Sequence, residues 1–334
     1  MSNRVVVVTG ASAGIGRATA IAFARRGDKV ALLARGEKGL AGAAEDVRAA
    51  GGTPLVVPVD VSDAKAVEAA ADRVEAELGP IDVWCNVAFS TVFAKFEDIT
   101  AEEYARVTQV SYLGFVHGTM AALKRMKPRD RGVIVQAESA LGRRGIPLQS
   151  VYCGAKHAIK GFTEALTTEL EHDGSGVQVT MVYIPGVNTP QFQWVLNKLP
   201  ERPQPVAPVY APEVIGESMV HAAEHPQRRA WWVGIPTVYT ILGNMVWPRF
   251  MDWYLARKGI AGQQTDVPAS ADPEVNLWQP ADGPDGADFG AEGVFSDKQW
   301  HRDPQIWASR HHGAVATALG SAVAVAGLAL RKRR

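Results

Sequence analysis

Cysteine is scarce. The 334 residues include only Cys85 and Cys153, too few for a disulfide scaffold and not spaced as a metal cluster, so a reducing, cytoplasmic setting is the simple expectation. An excess of one charge is missing too. Lys plus Arg and Asp plus Glu both total 35, which argues against nucleic acid or another polyanion as a partner. No basic segment followed by an apolar run precedes the first β-like stretch, so no N-terminal secretory signal is expected. With 47% hydrophobic and 21% charged residues, the chain reads as globular, with material for one large core or two modest ones.

The residues that are present are organised around Ser139 to Lys156. Ser139 follows a β-like run, Gly132 to Ala137. Tyr152 and Lys156 stand four apart in a segment of helical pattern, so they share one helix face. A fixed ammonium beside a phenol favours the phenolate and lowers a pKa that is otherwise near 10. Tyr152 then becomes a usable proton donor and acceptor. Ser139, between strand and helix, is placed to hydrogen-bond an oxygen whose charge changes during reaction.

At the N-terminal end, Arg4 to Thr9 contains four consecutive valines and reads as a strand buried on both faces. Gly10, Ala11, Ser12, Ala13, Gly14, Ile15 and Gly16 follow, then an apolar helical run. Glycines here allow a tight turn and a close approach of backbone to ligand at a helix N-terminus, where free amides and the dipole favour phosphate. This predicts a dinucleotide cradle. A second strand, Val30 to Ala34, ends at Arg35. In such sites an acidic residue near this point holds the adenosine ribose hydroxyls, whereas an arginine accommodates a 2′-phosphate. Arg35 therefore favours NADP(H) over NAD(H). Asp60 and Val61, after a third strand, are placed to meet adenine. Ser62 reads as the cap of the next helix, and Thr100 with Glu103 as a capping box for a long helix reaching about Lys127. Strand and helix alternate throughout, which predicts an α/β fold: a doubly wound, Rossmann-type parallel sheet with helices on both faces.

From about residue 4 to residue 235, these motifs in this order and spacing resemble the short-chain dehydrogenase/reductase family. The resemblance implies that Tyr152 moves the proton, Ser139 steadies the substrate oxygen, and Lys156 binds the nicotinamide ribose. It adds Asn86 and Ala88 after the fourth strand, and Pro185, Gly186, Val187 and Thr189 at the nicotinamide, to the cofactor-binding set. It also implies a homo-oligomer built on the long helix and the helix bearing Tyr152. Three positions depart from the family pattern. Phe89 replaces a glycine, Ser111 stands where an asparagine usually serves the proton relay, and Glu138 replaces a common serine. Glu138 is expected to face solvent, because desolvating an unpaired carboxylate is costly.

Phe192 and Trp194 fall in the place of the family's variable substrate lid, and they suggest a bulky apolar substrate or simple core packing. His221 and His225 are four apart, but no third ligand is evident, so no metal site is expected. The reading divides the chain into a catalytic domain, 1–235, an extension, 236–313, with a covering helix and an irregular arm, and a tail, 314–334. Ala314 to Leu330 carries no charge and Arg331 to Arg334 follow, so the tail reads as a membrane contact, a surface-lying segment or a docked helix. The function expected is NADP(H)-dependent interconversion of a lipophilic carbonyl and its secondary alcohol. A noncatalytic NADP(H)-binding sensor or scaffold is the alternative.

Overall fold

A computed structural model describes residues 3–270 and 274–311, together with Gly313 and Thr317. Seven strands form one sheet: β1 (Val5–Thr9), β2 (Lys29–Ala34), β3 (Thr53–Pro58), β4 (Ile81–Asn86), β5 (Gly132–Ser139), β6 (Val177–Ile184) and β7 (Ala230–Trp232). Their order is β7-β6-β5-β4-β1-β2-β3, and every pairing is parallel. Parallel strands need crossovers, and the helices that supply them cover both faces. Alternate residues of β1 accordingly enter different cores. Val6 and Val8 pack with Phe23, Leu32 and Ile159, while Val5 and Val7 pack with Leu33, Trp84 and Met126. The chain leaves β1 toward β2 on one side and returns on the other at β4. That reversal opens a crevice at the C-terminal strand ends, where ligands of such sheets bind.

Among the described residues the α-helices are α1 (Gly14–Ala24), α2 (Glu37–Ala49), α3 (Ala64–Leu78), α4 (Ala101–Thr108), α5 (Gly114–Met126), α6 (Ser150–His172), α7 (Gln191–Trp194), α8 (Pro212–Glu224), α9 (Ile235–Val246), α10 (Pro248–Lys258) and α11 (Pro304–Arg310). The capping box at Thr100 and Glu103 is present. The helix it starts does not run uniformly to Lys127, because a π turn, Gln109–Leu113, separates α4 from α5. Nor does Ser62 cap α3. Asp63 does, accepting from the amides of Lys65 and Ala66, because the Ser62 hydroxyl donates to Asp60 at 2.7 Å instead. On α6, Ile159 is fully buried, and the half-buried Phe162 and Leu166 pack against the two main clusters.

The extension begins with two helices rather than one. Pro248 has no amide hydrogen and a fixed φ, so the chain breaks at Trp247 and restarts as α10. Beyond it the arm is largely irregular, yet it is tightly joined to the catalytic domain. Leu277 enters a small cluster with Val92, Val107 and Val151. Trp194 meets Phe289 edge-on at 4.6 Å, and Phe192 meets Phe295 at 5.9 Å. The Asp303 carboxylate accepts from the amide of Gly234 at 2.6 Å. Among the described residues no helix is long and apolar enough to cross a membrane. The apolar tail from 314 lies, but for Thr317, outside the described residues.

Candidate active site

The glycine turn between β1 and α1 is as tight as a backbone allows. Gly10 has φ of +69°, and a Cβ on it would come within 2.8 Å of the Ala88 Cα. A Cβ on Gly16 would overlap the carbonyl oxygen of Gly10. Thr9 closes the turn from below, its hydroxyl accepting from the amides of Val87 and Ala88 at 2.9 and 3.1 Å. The cavity above is lined by Ser12, Ala13, Gly14, Ile15, Ala88 and Thr189 among others. These residues fit a dinucleotide, since a smooth glycine floor and the N-terminus of α1 are what its phosphates require.

A second cavity, about 250 Å³, joins the first through Ile15, Val87, Phe89 and Thr189, which line both. Ser139, Tyr152 and Lys156 open onto it, with Pro185, Gly186 and Val187 along one wall. Ser139 ends β5, and its hydroxyl accepts from the amide of Leu141 at 3.1 Å and shares a hydrogen bond with Tyr152. Lys156 stands beside Tyr152, its Nζ 5.6 Å from the centroid of the phenol ring. Its ammonium donates to the Ala137 carbonyl at 2.6 Å and lies over the Phe115 ring at 4.5 Å. Burial raises the Tyr152 pKa above the usual phenol range, the Ser139 hydrogen bond opposes this, and the Glu138 charge adds to the rise. Burial also pushes Lys156 down to about 8, against the pull of Glu138.

Glu138 overturns its expectation. It is 1% exposed, because Lys156 supplies the positive charge that makes burial tolerable. Its Oε1 accepts from the amide of Ser139 at 2.9 Å, while Oε2 is buried without a hydrogen-bond partner among the described residues. Burial raises its pKa to about 7, with Lys156 opposing. An acid whose folded pKa exceeds its unfolded value costs stability as it ionises. The wild type therefore loses stability as the pH rises from 4.5 to about 7. The corresponding Lys156 window lies higher, from about 8 to 10.5, with stability lost as the pH falls. Glu138→Gln removes the first dependence. Its melting temperature relative to wild type is expected to rise between about pH 5 and about pH 8, at about 2–4 °C per kcal/mol. Calorimetry at the two pH values tests this, and a flat difference would remove the buried carboxylate from the account.

Other expected residues lie elsewhere or are already engaged. Asn86 is fully buried and faces away from the groove, accepting from the Trp84 indole at 2.8 Å and donating to Phe115, Thr119 and Gln136. Asp60 and Val61 line a third cavity together with Gly10, Ala34 and Arg35, and the Asp60 carboxylate accepts from Ser62 and, at 2.6 Å, from Arg106. Ser111 sits in the π turn, fully buried. It donates to the Ser90 carbonyl at 2.7 Å and accepts from the Ser90 amide at 2.8 Å, so its hydroxyl holds the loop after β4 rather than lining the cleft. Arg35 reaches the groove, yet its guanidinium donates to the carbonyls of Asn276 at 2.6 Å and Trp278 at 3.0 Å.

Phe192 lines the second cavity and Trp194 the first. Phe89 borders both and meets Tyr152 edge-on at 5.7 Å. The extension was expected to supply one covering helix; Tyr239, Met251, Tyr254 and Leu255 of two helices, α9 and α10, form a wall of the second cavity. Sequence reasoning missed a third group beside His221 and His225, namely Glu224. That carboxylate is paired with Arg26 at 3.2 Å, and nearby Arg310 and Arg228 help burial hold His221 at about 4. These surroundings repel a cation.

Known proteins resemble the chain in the same parts. A family model described as short chain dehydrogenase matches residues 4–198. An uncharacterized oxidoreductase, YxnA of Bacillus subtilis, is 30% identical over 98% of this chain and 89% of its own length. The 3-ketodihydrosphingosine reductase of Bos taurus is 34% identical over 56% of this chain and 57% of its own length. The solved alcohol dehydrogenase of Thermococcus sibiricus, complexed with 5-hydroxy-NADP, superimposes with a TM-score of 0.59 at 26% identity, covering 69% of this chain and 95% of that one. The parallel sheet, the glycine turn and these matches agree, and the chain is an oxidoreductase belonging to the short-chain dehydrogenase family.

Proposed function

We propose that the enzyme interconverts a carbonyl and a secondary alcohol on a lipophilic substrate. The observation that carries this is that Ser139, Tyr152 and Lys156 open together onto a largely apolar cleft continuous with the glycine cradle. A nicotinamide dinucleotide, held by Gly10 to Gly16 and Thr189, supplies or removes the hydride. Ser139 donates a hydrogen bond to the substrate oxygen as its charge grows. Tyr152 passes a proton to that oxygen in reduction and takes it back in oxidation. Lys156 holds the ribose on the nicotinamide side and keeps the region positive. The apolar walls, Phe192, Met251, Tyr254 and Leu255, exclude water.

A lipophilic substrate is supported by those walls and by the ketosphingosine reductases among the relatives. Methyl ketones of increasing alkyl length test it. Each buried methylene contributes about 0.8 kcal/mol, so kcat/KM is expected to climb about threefold to fourfold per carbon until the cleft is filled. A profile flat in chain length would refute the lipophilic assignment.

Arg35 argues for NADP(H) over NAD(H), in line with the archaeal dehydrogenase. Its hold on the arm's carbonyls argues the other way, and the ratio of kcat/KM for the two cofactors decides between them. A homo-oligomer and membrane contact through 314–334 belong to the same proposal. Sedimentation of the full chain with and without liposomes checks both. The sensor or scaffold alternative has no support in a site where Ser139, Tyr152 and Lys156 all line one cleft.

A further inference from the structure

The end of β2 carries no acidic residue, and the two positions that follow most closely along the groove, Gly36 and Gly39, carry no side chain at all. The space is not empty. The carboxylate of Asp282, from the C-terminal arm, lies against both glycines, where a Cβ on either would overlap it, and close to Ser12. The contact is anchored through the backbone. The Asp282 carbonyl accepts from the amides of Lys38 at 3.1 Å and Gly39 at 3.4 Å, in the first turn of α2. Farther along, Asp288 pairs with Arg17, and the Gly290 carbonyl accepts from the amide of Gly14 at 3.1 Å.

Asp282 is 3% exposed, and its Oδ2 is buried with no hydrogen-bond partner among the described residues. An orphaned carboxylate oxygen is costly, and it needs a donor. The cavity beneath it is bounded by Gly10, Ala34, Asp60, Val61 and Asn276, which is the adenosine end of the groove. The basic side chain that would welcome a 2′-phosphate there, Arg35, is turned onto the carbonyls of Asn276, Leu277 and Trp278.

We infer that Asp282 is the cofactor-specificity residue of this enzyme: the arm supplies from the far end of the chain the acid that the end of β2 lacks. It accepts a hydrogen bond from an adenosine ribose hydroxyl, which satisfies Oδ2, and it repels the dianionic 2′-phosphate of NADP(H). The dinucleotide then lies between the glycine floor and the arm, with NAD(H) as the preferred form. This rests on the dinucleotide reading proposed above and reverses the choice suggested by Arg35.

The test is binding alone, so it does not depend on knowing the substrate. Affinities of NADH and NADPH for the full chain are measured by nucleotide fluorescence, in wild type, Asp282→Asn and Asp282→Ala. Wild type is expected to hold NADH at least about tenfold more tightly than NADPH. Both variants are expected to shrink that ratio about tenfold or more, chiefly by tightening NADPH, with melting curves confirming that they fold. Asparagine keeps the shape without the charge, so a shift in both variants identifies the charge. A wild type that prefers NADPH overturns the inference, as does a ratio unmoved in a folded variant. Release of the arm to limited proteolysis by NADPH would also overturn it, because the arm would then be a displaced strap and not part of the site. Failure of wild type to bind either dinucleotide is a separate result that refutes the dinucleotide reading itself.

Discussion

Replacing Tyr152 by phenylalanine is expected to lower kcat for carbonyl reduction about a thousandfold while leaving dinucleotide affinity within about threefold of wild type. The ring is kept, so the edge contact with Phe89 survives, and the loss isolates the hydroxyl. Positioned general acids contribute about 10²–10⁴ in rate. The upper part of that range applies here because the cleft is apolar and offers few substitutes for the proton. Burial holds the Tyr152 pKa high, which suits donation in reduction. In oxidation the same residue must give up its proton first, so oxidation is expected to accelerate with rising pH over a range where reduction does not. Single-turnover hydride transfer from prebound cofactor, in both directions and across pH, measures this. A Phe variant that keeps more than about a tenth of wild-type kcat would move the proton donor elsewhere.

Gly16→Ala should abolish useful dinucleotide binding. The added methyl would occupy the position of the Gly10 carbonyl oxygen, a backbone atom that cannot rotate away. Either α1 must back off or the Gly10 turn must open, and both move the floor of the groove. Overpacking of this kind costs about 1–3 kcal/mol, which on a binding equilibrium is about fivefold to 150-fold. The melting temperature should fall as well, since α1 packs on α8 with Gly216 against the Ala18 carbonyl. Titration with either cofactor and a thermal melt of the same sample check both parts. Affinity within twofold of wild type would mean that the phosphates do not lie on this turn.

The features legible in the sequence are those whose cause is local. Four valines before a glycine turn, helical stripes between strands, and Tyr152 one helical turn before Lys156 all declare themselves within a few residues. What was not legible depends on partners far along the chain. Glu138 looked exposed because its compensating charge, Lys156, is eighteen positions away and reaches it only through the strand-to-helix turn. The motif that singled out Asp60 and Asn86 did not announce their side-chain partners, Arg106 for the one and Trp84 and Gln136 for the other. Ser62 lost its capping role to Asp63 through one hydrogen bond to Asp60. Arg35 was the most consequential case. Its acceptors are main-chain carbonyls 241 to 243 residues later, in an arm with no periodicity from which docking could be read.

The arm also sets a timetable. The floor of the groove is made when the first sixty residues or so of the chain are made, while the carboxylate and carbonyls that roof it arrive near residue 290. At about 5–20 residues per second on a ribosome, those 230 residues take about 10–50 seconds. During that interval the first βαβ unit can be shaped and packed, but Gly36 and Gly39 face water, Arg17 lacks Asp288, and Arg35 is free to take any anion. The newborn domain and the finished one therefore present different chemistry to the same nucleotide pool.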